Sequence, residues 1–244
     1  MNIVLVGGNS DIGRAISVEL SSRDDVRALI VSRSSVPSEM RCKRFMYMDG
    51  VDLLIDAQMS RFTATLKDSF DSRFTVIHCV GDFWIHRPLD QSAISVARAH
   101  IESHYLTLYN VARHAAPVMI SVGGGSFVGF SCNSVTKNYP EMAPFTSAKA
   151  AVETLIKCIA NEYSEFGIQA NALALPTIRT EKVGMYKIPD NQMQYITSHE
   201  LAQIILEQIV SLSPLISGNV ISLFKFSKAF YHKSYFERNP SGRV

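Results

Sequence analysis

Short apolar, β-branched runs alternate along this chain with longer stretches whose apolar positions recur every three or four residues. The short runs, at 3–6, 28–32, 44–48, 74–79, 126–130, 168–174 and 220–224, predict seven strands. The longer stretches predict helices over 12–22, 53–70, 94–115, 143–166 and 199–212. Strands that are apolar at nearly every position are buried on both faces, and the intervening helices supply the crossovers that parallel pairing needs. The expected architecture is α/β: one doubly wound, seven-stranded, mostly parallel sheet with helices on both faces. Thr197 and Glu200, three apart at the head of the last helix, have the spacing of a capping box.

Composition narrows this picture. The 244 residues suit a single α/β domain spanning 1–244, and no repeat, linker or low-complexity stretch divides them. With 47% hydrophobic and 19% charged residues the chain is an ordinary globular one, and a net charge of +2 with both signs interspersed gives no field suited to nucleic acid. Cys42, Cys79, Cys132 and Cys158 lack the close paired spacing of zinc or redox motifs and read as reduced thiols. Residues 1–8 have no basic, long apolar leader, and no apolar run approaches the ~20 residues of a membrane span, so a cytoplasmic protein with no membrane partner is expected.

The first predicted strand runs directly into Gly7-Gly8-Asn9-Ser10-Asp11-Ile12-Gly13 and then an amphipathic stretch. Gly7 permits a tight turn and Gly13 a close approach of helix to sheet, so that backbone N–H groups face an anion such as a pyrophosphate. The second strand ends in Ser32-Arg33, where a carboxylate that would bind a free ribose 2′-hydroxyl is missing and an arginine matching a 2′-phosphate is present. On these grounds NADP(H) is the expected cofactor, favoured over NAD(H).

These segments resemble the short-chain dehydrogenase/reductase family, a Rossmann-fold family. Val6 to Gly13 is similar to its Thr-Gly-x-x-x-Gly-Ile-Gly motif, with Val6 for Thr and Asp11 for the middle Gly, an aspartate that can also cap the helix. The resemblance implies that Asp49 contacts the adenine amino group. It also implies that Gly81, in His78-Cys79-Val80-Gly81, lets the backbone pass the adenosine ribose, that the stretch including Ile178 receives the nicotinamide, and that Thr180 bonds its carboxamide. It covers the chain from Met1 to about Leu223 and leaves residues 224–244 as a divergent tail.

The family's chemistry uses Asn, Ser, Tyr and Lys. A phenol with pKa near ~10 becomes a useful acid–base group only when a neighbouring ammonium stabilises its phenolate. Here the Tyr-x-x-x-Lys motif reads Phe145-Thr146-Ser147-Ala148-Lys149, the serine position thirteen residues earlier is Cys132, and counting back from Pro117 places His104 at the asparagine position. Lys149 alone is retained.

Three readings follow. The first is an atypical NADP(H)-dependent oxidoreductase acting on a small carbonyl or hydroxyl compound, its proton coming from Tyr139 or from a His104 titrating near neutrality, with Ser131 or Ser134 polarising the carbonyl. The second is a catalytically impaired cofactor-binding or partner protein. The third is non-redox catalysis by a Cys132–His104 pair. His100, His104 and Cys132 are nameable as metal ligands, but neither HExxH nor a cysteine pair supports them, and no metal is expected. Met185, Tyr186, Met193 and Tyr195 in the 181–197 segment suggest a small-molecule substrate of apolar or aromatic character. The aromatic and basic tail suggests packing on the sheet end or a flap over an anionic substrate. By the resemblance, the long helices at 94–115 and 143–166 imply a homodimer or homotetramer.

Overall fold

In a computed structural model, which describes residues 1–82, 87–180, 196–210, 212 and 215–223, all seven predicted strands form one sheet. These are β1 (Asn2–Val6), β2 (Arg27–Val31), β3 (Met46–Met48), β4 (Phe74–His78), β5 (Gly125–Cys132), β6 (Ile168–Leu175) and, last in the chain, β9 (Val220–Ser222). Their order is β3-β2-β1-β4-β5-β6-β9, and every pair is parallel. Val6 lies level with Val31 on one side and His78 on the other, so the order reverses between β1 and β4 and opens a crevice at their C-terminal ends. A separate two-stranded ladder joins β7 (Ile178–Arg179) to β8 (Ile196–Thr197).

Side chains alternate between the faces of each strand, and both faces are buried. Val4, Val6, Leu29, Val31, Val76 and Phe127 point to one side, where they meet α2 (Asp56–Ser69), α4 (Thr107–Ser121) and α6 (Ala143–Glu162). Ile3, Leu5, Ile30, Ile77, Val128 and Leu173 point to the other and pack on α1 (Asp11–Ser21) and α7 (Ser198–Ile204). Two short helices complete the framework, α3 (Ile94–His100) and α5 (Ser134–Lys137).

Several boundaries differ from the sequence expectation. Helix α2 begins at Asp56, because Leu54 N donates to Asp52 Oδ1 (2.9 Å) in a local turn that replaces the first predicted helical turn. Strand β3 begins at Met46, since a turn closed by Phe45 N to Cys42 O (3.0 Å) occupies the residues before it. The helix expected over 94–115 is α3, a π-helical segment (Ile101–Leu106) and α4, running through Pro117 to Ser121. Proline is tolerated there because the partner its missing N–H would have had is the carbonyl of Arg113, on the exposed face. Helix α6 ends at Glu162 and a 3-10 turn takes up Ser164–Phe166. Helix α7 gives way to a π segment at Ile205–Ile209. Its capping box is present: Glu200 N donates to Thr197 Oγ1 (3.1 Å) and Thr197 N to Glu200 Oε2 (2.8 Å). Met185, Tyr186, Met193, Tyr195 and the 224–244 tail lie outside the described residues.

Candidate functional site: the crevice at the sheet switch point

At the end of β1, Gly7 and Gly8 both donate to Val31 O (2.8 and 3.1 Å), which folds the chain back towards β2 before α1 starts. Ser10, not Asp11, caps α1: its Oγ accepts from Gly13 N (3.0 Å) and donates to Gly7 O (2.8 Å). The expectation that Asp11 could cap the helix is therefore corrected; it sits in the first turn, where a carboxylate still suits the positive end of the helix. A Cβ on Gly13 would collide with Gly7 O, so only glycine allows helix and turn to approach this closely. The amides of Asn9, Asp11 and Ile12 carry no hydrogen bond among the described residues, leaving three donors at the start of α1. This is what a pyrophosphate requires.

The turn after β2 is tied to this cradle. Asn9 Nδ2 donates to Ser34 Oγ (2.7 Å) and Ser35 O (3.2 Å), while Arg14 Nε donates to Asn9 Oδ1 (3.0 Å). Arg33 projects from the turn, exposed and without a bonded partner among the described residues. Ser32 Oγ donates to Ser34 O (2.7 Å) and is also 3.2 Å from Asp49 Oδ1. Asp49 accepts from Ser35 Oγ (2.9 Å) and Val36 N (3.4 Å) as well and is ion-paired with Arg41. Partial burial pushes the Asp49 carboxyl upward, but these bonds and the Arg41 charge outweigh it and hold the group below its usual range.

The sequence-predicted catalytic positions converge in part. Lys149, on α6, is buried, and its Nζ donates to Phe130 O (2.8 Å) at the end of β5. Burial lowers its pKa to about 8, against a smaller opposite effect of Cys132 and Cys79. Phe145, one turn earlier, is 8% exposed, its ring centroid 5.6 Å from Lys149 Nζ. His100 and His104 stack on each other (centroids 5.6 Å) and both meet the Phe145 ring edge-on, at 5.7 and 5.3 Å. Met142, Phe145, Val96 and Cys132 form a small apolar cluster apart from the two main cores.

His104 corrects one expectation. It is 2% exposed, its Nε2–H donates to Asp82 O (3.1 Å), and its Nδ1 has no partner. Burial and then the Lys149 charge push its pKa far below the ordinary imidazole value, so it stays neutral instead of titrating near neutrality. Neither ring nitrogen bonds Cys132, whose Sγ accepts from Ser134 N (3.5 Å); the nucleophilic pair is not assembled. Gly81, at φ +141°, leaves room for the His104 ring, which a Cβ there would strike.

His78, fully buried behind this group, donates from Nε2 to Thr107 Oγ1 (3.1 Å), and burial depresses its pKa to about 3. Ser131 Oγ is committed to Glu153 Oε1 (2.5 Å), and Ser134 Oγ accepts from Thr146 Oγ1 (3.1 Å). Tyr139 stands 46% exposed with Lys137 Nζ 5.8 Å over its ring. Ile178 is buried in β7, and Thr180 is the last described residue before 181–195. Among the described residues no group of three or more His, Cys, Asp or Glu converges as metal ligands, and no helix is long and apolar enough to cross a membrane.

Sequence reasoning missed Arg14, whose Nε holds Asn9 in the glycine turn, Arg41, which bonds Val36 O and Asp49 after β2 and β3, and the His78–Thr107 pair. A basic residue directly after the glycine turn was the one available signal, for Arg14.

Comparison with known proteins agrees with this fold. Residues 16–212 match a family model described as enoyl-(acyl carrier protein) reductase. A probable galactose dehydrogenase of Rhizobium meliloti is 26% identical over 193 residues, covering 74% of this chain and 72% of the relative. Among solved structures, a short-chain type dehydrogenase/reductase from Mycobacterium ulcerans superposes with a TM-score of 0.78 at 19% identity, covering 91% of this chain and 87% of that one. ElxO with NADP bound superposes at 0.76 with 21% identity, covering 91% and 96%.

Proposed function

The chain belongs to the short-chain dehydrogenase/reductase family, and on that premise we propose an NADP(H)-dependent oxidoreductase of small carbonyl or hydroxyl compounds that uses Lys149 as its acid in place of a tyrosine. The observation that carries this reading is the buried Lys149 ammonium, bonded to Phe130 O and facing the ring of Phe145 where the family has its tyrosine. When bound, the nicotinamide supplies the hydride. The chain's own residues do the rest. The amides of Asn9, Asp11 and Ile12 hold the pyrophosphate, and Arg33, with no carboxylate at Ser32, takes the 2′-phosphate. Gly81 lines the ribose path, and Ile178 and Thr180 border the nicotinamide. ElxO, whose structure carries NADP, supports the choice of cofactor.

Lys149 Nζ releases a proton towards the substrate oxygen and regains it from solvent; a group with pKa about 8 is well matched to that task near neutrality. Cys132, Met142, Phe145 and Val96 offer the substrate an apolar wall, which fits an apolar or aromatic compound. Exposed Leu106, Tyr109 and Ile120 on the π segment and α4 support a homodimer or homotetramer, and the four free thiols fit a reducing, cytoplasmic setting.

The test is NADPH consumption across a panel of apolar and aromatic aldehydes and ketones. Because the protonated ammonium is the acid, kcat should fall as pH rises through about 8, and Lys149→Met should abolish turnover. Turnover that survives Lys149→Met contradicts the assignment. A second reading has one specific observation in its favour: the only N–H of neutral His104 is committed to Asp82 O. That reading, a cofactor-binding protein without turnover, prevails if NADPH binds and no compound in the panel is reduced. Arg33→Ala should weaken NADPH binding about 10- to 100-fold and leave NADH unchanged.

A further inference from the structure

Helix α6 meets strand β5 at three successive levels. Alternation along the strand turns Gly129 and Ser131 to the same face, the one α6 covers. Deepest in the core, Ile156 Cδ1 packs so closely on Gly129 that a Cβ there would lie 3.2 Å from it. One helical turn earlier, Ser131 Oγ donates to Glu153 Oε1 (2.5 Å), and Ser131 is buried. One turn earlier again, Lys149 Nζ donates to Phe130 O (2.8 Å). Val152 and Ile156 hold the helix on the sheet through the main apolar core, but such packing is non-directional. The bond between Ser131 and Glu153 is directional and fixes the register of helix on strand. It uses the one proton of the Ser131 hydroxyl, which is therefore not offered to a substrate carbonyl. The titratable groups around Lys149 are His78 and Cys79 at the end of β4, His100 and His104 on α3 and the π segment, and Cys132 on β5.

We propose that Glu153 is a positioning residue for Lys149: by accepting the Ser131 hydroxyl it locks α6 in register with β5 and keeps the Lys149 ammonium buried on Phe130 O. This rests on the reading of Lys149 as the acid given above. Glu153 acts through Ser131 and the helix, as a hydrogen-bond acceptor and not through its charge; the groups that oppose the effect of burial on Lys149 are Cys132 and Cys79. Released from Phe130 O, the ammonium gains water and becomes a weaker acid.

The experiment follows the side-chain NMR resonances of Lys149 through a pH titration of the full chain labelled at lysine, with Lys149→Met to assign them. Wild type should titrate with a midpoint of about 8. Ser131→Ala and Glu153→Ala should each raise the midpoint by about one pH unit or more, towards the ordinary lysine range, and the double variant should raise it no further. Glu153→Gln, which keeps the acceptor, should hold the wild-type midpoint. In the reductase assay, the pH above which kcat falls should move with the resonances, and kcat at pH 7 should drop about 10-fold in both alanine variants. The assignment is overturned if the alanine variants lose stability in denaturant unfolding while the midpoint stays in place, since the bond would then be structural alone. It is also overturned if Glu153→Ala and Glu153→Gln both lower the midpoint, because the carboxylate charge would then act on Lys149 directly. Should Glu153→Ala fail to fold, Ser131→Ala against Glu153→Gln carries the same comparison. A wild-type Lys149 that titrates in the ordinary lysine range overturns the acid itself, and the positioning role with it. A midpoint that moves as stated, in a protein that reduces nothing in the panel, supports the role of Glu153 and overturns only the oxidoreductase reading.

Discussion

At residue scale, the site differs from its family's pattern by the removal of hydroxyls. Phe145 lacks the phenol and Cys132 carries a weakly donating thiol, yet Lys149 remains buried beside both. Restoring the phenol should therefore restore the conventional acid: Phe145→Tyr, whose hydroxyl would lie near the Lys149 ammonium, should raise the reductase rate about 100-fold over wild type. An unchanged rate would mean that Lys149 already supplies the proton as fast as later steps allow. His104 gives an independent check on the electrostatics. Burial and the Lys149 charge both disfavour its imidazolium, so its ring resonances should not move between pH 5 and 8 in a pH-titrated NMR experiment. An inflection near the ordinary imidazole value would contradict the buried, neutral ring. The exchanges at Phe145 and Cys132 were legible in the sequence, but the neutral state of His104 was not, since it read there as a group free to titrate. Its protonation state depends on Asp82 O and Lys149, which tertiary folding alone brings to it.

At the scale of elements, the central strands were legible because they are largely apolar on both faces. β1 and β4 needed no partner information to be recognised. The glycine turn was equally legible, since Gly13 has only one physical reason to be glycine, the closeness of Gly7 O. Helix starts were less so: the Asp52 turn delays α2, and Ser10 takes the cap that Asp11 seemed to offer. Where side-chain chemistry and helical periodicity agreed, as at Thr197 and Glu200, the boundary was correct. The capping box makes a prediction at this scale. Thr197→Ala should lower stability by about 1 kcal/mol in denaturant unfolding, because it removes the acceptor for Glu200 N. No change would show that tertiary packing of Leu201 and Ala202 alone holds the start of α7.

For the whole molecule, the order β3-β2-β1-β4-β5-β6-β9 places the glycine turn, the β2 turn with Arg33 and the buried Lys149 ammonium at the C-terminal ends of the strands. The cofactor end keeps open backbone amides and adds arginines, while the chemical end has lost hydroxyls and kept one ammonium. Arg14 and Arg41 escaped sequence reading because the turn they serve is assembled from three separated segments, around residues 9, 34 and 49. The proposed occupant of this crevice is a 2′-phosphorylated nicotinamide dinucleotide. Its most direct test is a side-by-side fluorescence titration of the wild-type protein with NADPH and NADH. Saturable binding of both is expected, with NADPH at least about tenfold tighter; binding of neither at millimolar concentration, or tighter binding of NADH, would contradict the proposed cofactor.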